Sequence, residues 1–146
     1  MKLDELVEDY IASGGEGHGK NGNCSYRDGV FFSYQTAVCR RLCEDIYLVG
    51  VLKYSQSTSK HVSALMKQLP GGPIQLPAEI GHLDYDGVHA RLQSWTDTLE
   101  QEMRAAGQRS RGFLRLKRAD DLHQIASDNM DTLEMFEHEI RKGEKK

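Results

Sequence analysis

The chain has 146 residues, 38% of them hydrophobic and 28% charged, with a formal net charge of −3. That length suits one domain with its own core, and no apolar run approaches the roughly 18 residues a membrane span needs. Cys24, Cys39 and Cys43 are an odd number without a secretory leader, and the start "MKLDELVEDY" is acidic. Reduced thiols and a cytoplasmic, intracellular protein are therefore expected, with neither a disulfide framework nor a membrane partner.

In chain order, Leu3, Leu6, Val7, Tyr10 and Ile11 repeat at helical spacing, and Gly14 and Gly15 follow them. This predicts a short amphipathic helix and then a glycine-rich hinge, together residues 1–23. The hinge spells two phosphate-loop patterns. Gly14-x4-Gly19-Lys20 lacks the hydroxyl residue that should follow, since Asn21 stands there, and Gly17-x-Gly19-x-x-Gly22 matches the dinucleotide fingerprint only in letters. Both motifs require a strand before the loop and a helix after it. Here a helix enters and a strand leaves, so no nucleotide cofactor is expected.

Residues 24–69 read as a sheet and a helix. "NCSYR", "VFFSYQTAVCRRL" and "DIYLVGVLKY" are strand-like, and Asp28-Gly29 between the first two is a strong hairpin signal. Val62, Leu65, Met66 and Leu69 then mark a helix over 58–69, with Ser57, Thr58 or Ser59 as its N-cap. Residues 70–84 hold Pro70, Pro73 and Pro77 and predict a surface connector without a strand. Beyond it, Val88, Leu92, Trp95, Leu99 and Met103 form one stripe and Leu122, Ile125, Ala126, Leu133, Phe136 and Ile140 another, a helical hairpin over 85–142 broken near Gly107 and Gly112. The expected fold is a single α+β domain: a small three-stranded antiparallel sheet packed by a helix, plus a C-terminal helical hairpin.

Two places could hold an anion. Ser57, Thr58, Ser59, Lys60 and His61 lie where a strand runs into a helix, so free amides, helix dipole and a lysine would converge. The simpler account is helix capping. Between 103 and 118 the chain carries Arg104, Arg109, Arg111, Arg115, Lys117 and Arg118 and no acid. If 104–118 were helical, Arg104, Arg111, Arg115 and Arg118 would form a stripe able to neutralise phosphates. The simpler account pairs them with Glu100, Glu102, Asp120 and Asp121.

Catalytic motifs are incomplete. Ser57-x-x-Lys60 with Ser127-Asp128-Asn129 spells two of the three penicillin-recognising motifs, but Lys-Thr-Gly is missing. Ser57, Lys60, His61 and Tyr34 lack an acid placed to complete a triad. The histidines are scattered and Cys39-x3-Cys43 stands alone, so no metal site is expected.

The stretches Phe32-Ser33-Tyr34-Gln35-Thr36-Ala37-Val38-Cys39 and Tyr54-Ser55-Gln56-Ser57-Thr58-Ser59-Lys60-His61 resemble a small domain of unknown function in bacteriophage and prophage proteins. Its pattern is Tyr-Ser-Tyr-x-Thr-x-Ile-Ala in one strand, then Phe/Tyr-Ser-x-Thr-Thr-Ser-Lys/Arg-His leading into a helix. The likeness covers about residues 22–68, and its first element departs mildly from the pattern. It implies origin and topology and no enzyme chemistry. The expected function is thus a non-enzymatic phage-type accessory protein that binds a macromolecule, nucleic acid before protein. Arg27, Arg40, Arg41, Lys53, Lys60, Lys67 and the 104–118 cations would make the contacts. The alternative is a protein-binding inhibitor or regulator of a host defence system, using Trp95 or acidic faces.

Overall fold

Glycine and aspartate turns set up the sheet. In a computed structural model, which describes residues 2–14, 17–51, 56–81, 83–107 and 113–144 (the side chains of 113–116 excepted), β1 (His18–Asn21) turns into β2 (Cys24–Arg27) at Gly22, φ 56°. β2 turns into β3 (Val30–Ser33) through Asp28 and Gly29, both at positive φ (51° and 81°). That is the two-residue turn whose twist matches paired strands, as the Asp-Gly signal predicts. β3 turns into β4 (Thr36–Cys43) at Tyr34 and Gln35, and β4 is followed by β5 (Ile46–Gly50).

The sheet has six strands in the order β1-β2-β3-β4-β5-β6, and this corrects the three-stranded antiparallel expectation. Three features were missed, each for a physical reason. β1 lies in the supposed glycine hinge, because a four-residue polar edge strand has no apolar alternation to reveal it. The long second strand is folded in two at Tyr34, an aromatic residue at φ 58° that no turn rule anticipates. β6 (Ile74–Leu76) sits inside the proline-rich connector and runs parallel to β5. Prolines 73 and 77 only flank this edge strand, where they are tolerated.

Helices cover both faces. α1 (Leu3–Ala12) and α2 (Gln56–Gln68) lie on one side. Leu6, Val7 and Tyr10 of α1 and Ala64 and Leu65 of α2 pack with Cys24, Tyr26, Phe31, Cys39, Tyr47 and Val49 in one apolar cluster. The Tyr10 ring sits 5.4–5.8 Å from the rings of Tyr26, Phe31 and Tyr47, and its hydroxyl donates to the Gly29 carbonyl at 2.9 Å. Burial raises its ionisation far above the phenol range.

The other side is covered by α3 (Tyr85–Gly107), α4 (Phe113–Met135) and α5 (Glu137–Glu144). Tyr85, Val88, Leu92, Leu133 and Ile140 close a second cluster over Leu48, Ile74 and Leu76. α3 and α4 are antiparallel: His89 pairs with Glu134 at 3.1 Å and His123 with Glu100 at 3.2 Å, in one register. Asn129 of α4 donates to the Gln75 carbonyl of β6 at 3.1 Å, so the edge of the sheet is partly capped.

β4 carries two bulges. Phe31 faces Cys39 while Phe32 faces Ala37, which leaves Val38 extra, and a second irregularity follows between Arg41 and Cys43. The first lets adjacent Val38 and Cys39 both enter the α1/α2 cluster.

Candidate functional site

The end of β3 and the first turns of α2 meet. Ser33, at the end of β3, is fully buried (0% exposed), and its hydroxyl donates to Thr58 Oγ1 at 3.0 Å. The same Ser33 oxygen lies 2.6 Å from His61 Nδ1. A hydroxyl has one proton: with it on Thr58, His61 Nδ1–H donates to Ser33 and Nε2 keeps the lone pair. Burial lowers the His61 pKa, which favours the neutral ring.

Tyr34 adjoins this knot. Its ring is 50% exposed, with its centroid 6.2 Å from that of His61, and its backbone N–H donates to the Asn23 carbonyl at 2.6 Å. A bulky residue at positive φ is strained, and it persists only where the surroundings hold it. Ser33 on one side and the Asn23 contact on the other supply that constraint.

The serine-rich helix start needs correction. α2 begins at Gln56, two residues earlier than expected, so Ser57, Thr58 and Ser59 are helical residues rather than N-caps. Thr58 is buried against Ser33, while Ser57, Ser59 and Lys60 are exposed and His61 is half-buried. Ser57 to His61 therefore do not converge on one anion: Thr58 and His61 turn to the sheet and Lys60 to solvent. Sequence reasoning missed Ser33, although its place in the Phe32-Ser33-Tyr34 element was the available signal.

Arg104, Lys117 and Arg118 are exposed at the end of the α3/α4 pair remote from the sheet-side cluster. Arg109 and Arg111 lie outside the described residues, as does the side chain of Arg115. Arg104 lies on α3 (Tyr85–Gly107) and Lys117 and Arg118 on α4 (Phe113–Met135), and the arginine stripe expected over 104–118 falls partly outside the described residues. Glu100, expected to neutralise these cations, pairs with His123 instead. Among the described residues Arg104, Lys117 and Arg118 form no ion pair.

Two other expected contacts are used inside the fold. Arg40 donates to the carbonyls of Leu83 and Gly81, and Arg41 donates to that of Glu44 at 2.8 Å. Burial lowers the Arg40 pKa. Lys53 lies outside the described residues; Arg27, Lys60 and Lys67 are exposed.

A cavity of about 930 Å³ includes Arg40, Arg41, Lys142, Glu44, Glu139 and Glu144 in its lining. Its mixed charges select no ligand class. Among the described residues no three His, Cys, Asp or Glu side chains could hold a metal, and no helix is long and apolar enough to cross a membrane. The glycine stretch keeps the order helix, loop, strand, from α1 to β1, so it lacks the helix N-terminus that holds phosphate in both nucleotide motifs.

No curated protein and no solved structure matches the chain. Residues 5–75 match the model of a family of unknown function, DUF8033. That stretch runs from α1 into β6 and takes in the Ser33, Thr58 and His61 knot, but stops short of α3, α4 and α5.

Proposed function

We propose that the protein is a non-enzymatic accessory protein of phage type, cytoplasmic in its host, that binds nucleic acid through phosphate contacts. The observation that carries this reading is the group of exposed cations Arg104, Lys117 and Arg118 at the end of the helical pair, which form no ion pair among the described residues. Lys60 and Lys67, one heptad apart on exposed positions of α2, add to it. Exposed cations without acid partners attract a polyanion by counterion release, in a salt-dependent and sequence-tolerant way. The Ser33–His61 pair supports a structural rather than a chemical role, because a nucleophile must be reachable and Ser33 is 0% exposed.

The test is binding of labelled DNA and RNA across a salt series, for the native chain and an Arg104→Glu, Lys117→Glu, Arg118→Glu variant. If each cation meets one phosphate, the slope of log affinity against log salt shrinks by about two to three in the variant. A salt-independent affinity, or equal binding by the variant, overturns the reading.

A protein-binding inhibitor or regulator is the second reading. It is supported by Tyr34 and Met135, which are 50% and 77% exposed. Trp95 supports it less, being half-buried between the two helical clusters. Recovery of one host protein from nuclease-treated lysate, lost on Tyr34→Ala or Met135→Ser, would favour it.

A further inference from the structure

The helices α3, α4 and α5 cover only part of their side of the sheet. Their cluster takes Ala37, Leu42 and Cys43 from β4, Ile46 and Leu48 from β5, and Ile74 and Leu76 from β6, but nothing from β1, β2 or β3. Residues directly opposed in antiparallel strands share a face, and faces alternate along each strand. The pairs His18 with Arg27 and Lys20 with Ser25, then Arg27 with Val30 and Ser25 with Phe32, lie on the face opposite Cys24, Tyr26 and Phe31. These last three belong to the α1/α2 cluster. His18, Lys20, Ser25, Arg27, Val30 and Phe32 thus share a half-face that, among the described residues, the helical cluster leaves open.

This half-face has a distinct chemistry. His18, Lys20 and Arg27 are exposed, and Ser25, Val30 and Phe32 half-buried. β1, β2 and β3 contain no acidic residue, and neither Lys20 nor Arg27 forms an ion pair among the described residues. The Arg27 guanidinium lies 5.4 Å from the centre of the Phe32 ring. A planar cation over an aromatic ring, with a second cation on the adjacent strand, offers both a stacking plane and phosphate neutralisation.

We propose that this open half-face binds single-stranded nucleic acid, with a base stacked at Phe32 and Arg27 and the backbone neutralised by Lys20 and Arg27. The occupant follows from charge and shape. Every base has a π-face, which an unpaired strand can lay on a flat aromatic platform and a duplex keeps inside its own stack. The inference rests on the nucleic-acid reading above but uses a separate surface, one within the family-matched residues 5–75. The competing account is that Arg27 merely shields Phe32 from water. It predicts an effect on stability and none on binding.

The test is fluorescence anisotropy with a labelled oligothymidylate of about ten nucleotides and a duplex of equal length. The native chain is compared with Phe32→Leu, with Lys20→Ala, Arg27→Ala, and with the helical-pair variant Arg104→Glu, Lys117→Glu, Arg118→Glu. Phe32→Leu is expected to weaken single-strand binding about tenfold or more and to leave duplex binding unchanged. Lys20→Ala, Arg27→Ala should reduce the single-strand salt slope by about 1.4, for two phosphates. If Phe32→Leu loses the native circular dichroism signal, the double variant, whose side chains are both exposed, decides the matter. Single-strand binding equal to the native chain in the folded sheet variants overturns this inference alone. Absence of any nucleic-acid binding by the native chain overturns the broader reading and this one with it.

Discussion

The Ser33 hydroxyl lies 2.6 Å from His61 Nδ1 and ties the end of β3 to α2 across 28 residues of sequence. Because the same hydroxyl also donates to Thr58 at 3.0 Å, one buried oxygen fixes the position of the helix on the sheet. Ser33→Ala removes one hydrogen bond from each of the two groups. The expected loss is about 1–3 kcal/mol, for two bonds of about 0.5–1.5 kcal/mol each. Urea unfolding measures it, and a loss within error of zero would show that neither bond holds the helix to the sheet.

His61 gives that knot a pH dependence. Burial holds its folded pKa below the usual value near 6.5, so the unfolded chain takes up a proton at a higher pH than the folded one. Between the two values the unfolded state binds more protons, and stability rises with pH. The contribution is complete above about pH 7 and declines as pH falls through about 6.5 toward the folded pKa. His61→Gln should therefore flatten the melting temperature between about pH 7 and pH 5.5, where most carboxylates stay ionised. An unchanged slope in the variant would assign the dependence to another group.

Tyr34 combines a φ of 58° with a ring that is half exposed. Asparagine accepts this backbone region better, and relief of strain is worth about 1 kcal/mol. Tyr34→Asn is thus expected to melt at or above the native temperature while removing the exposed ring beside His61. Should the variant instead be destabilised by more than about 1 kcal/mol, the contact with His61 outweighs the strain and Tyr34 serves packing alone.

Most of the helical layer was legible in the sequence, because burying one face of a helix leaves a periodic trace. Leu6, Val7 and Tyr10, Leu65 and Leu69, and Val88, Leu92 and Leu99 are all buried where their spacing put them. The sheet was half legible. Asp28-Gly29 announces its turn through backbone chemistry, but His18–Asn21 and Ile74–Leu76 are edge strands of four and three residues, too short for a period to emerge. β6 pairs with β5, about 26 residues away, and β1 is the outer arm of a tight hairpin with β2, whose polar residues carry no apolar alternation. The same limit hid the site: Ser33 and His61 are ordinary polar residues until topology brings them together.

Gly19 is a position where the fold leaves no room for a side chain. A Cβ built there would lie 2.7 Å from Tyr26 Cε1 and 3.0 Å from Leu6 Cδ1, both buried. Neither neighbour yields freely, since the Tyr26 hydroxyl donates to Asp9 and Leu6 is enclosed by the α1/α2 cluster. Gly19→Ala should cost about 1–3 kcal/mol by overpacking. Gly22 differs: among the described residues no atom beyond its chain neighbours lies within 4 Å of its Cβ position, but φ is +56°, so Gly22→Ala should cost about 1 kcal/mol through backbone strain alone. Gly72 has neither obstacle, and Gly72→Ala is expected to be neutral or slightly stabilising. Thermal melts should rank the three in that order. A Gly19→Ala protein as stable as the Gly72→Ala protein would mean that α1 can lift from β1, and that the first strand is not locked to the helix above it.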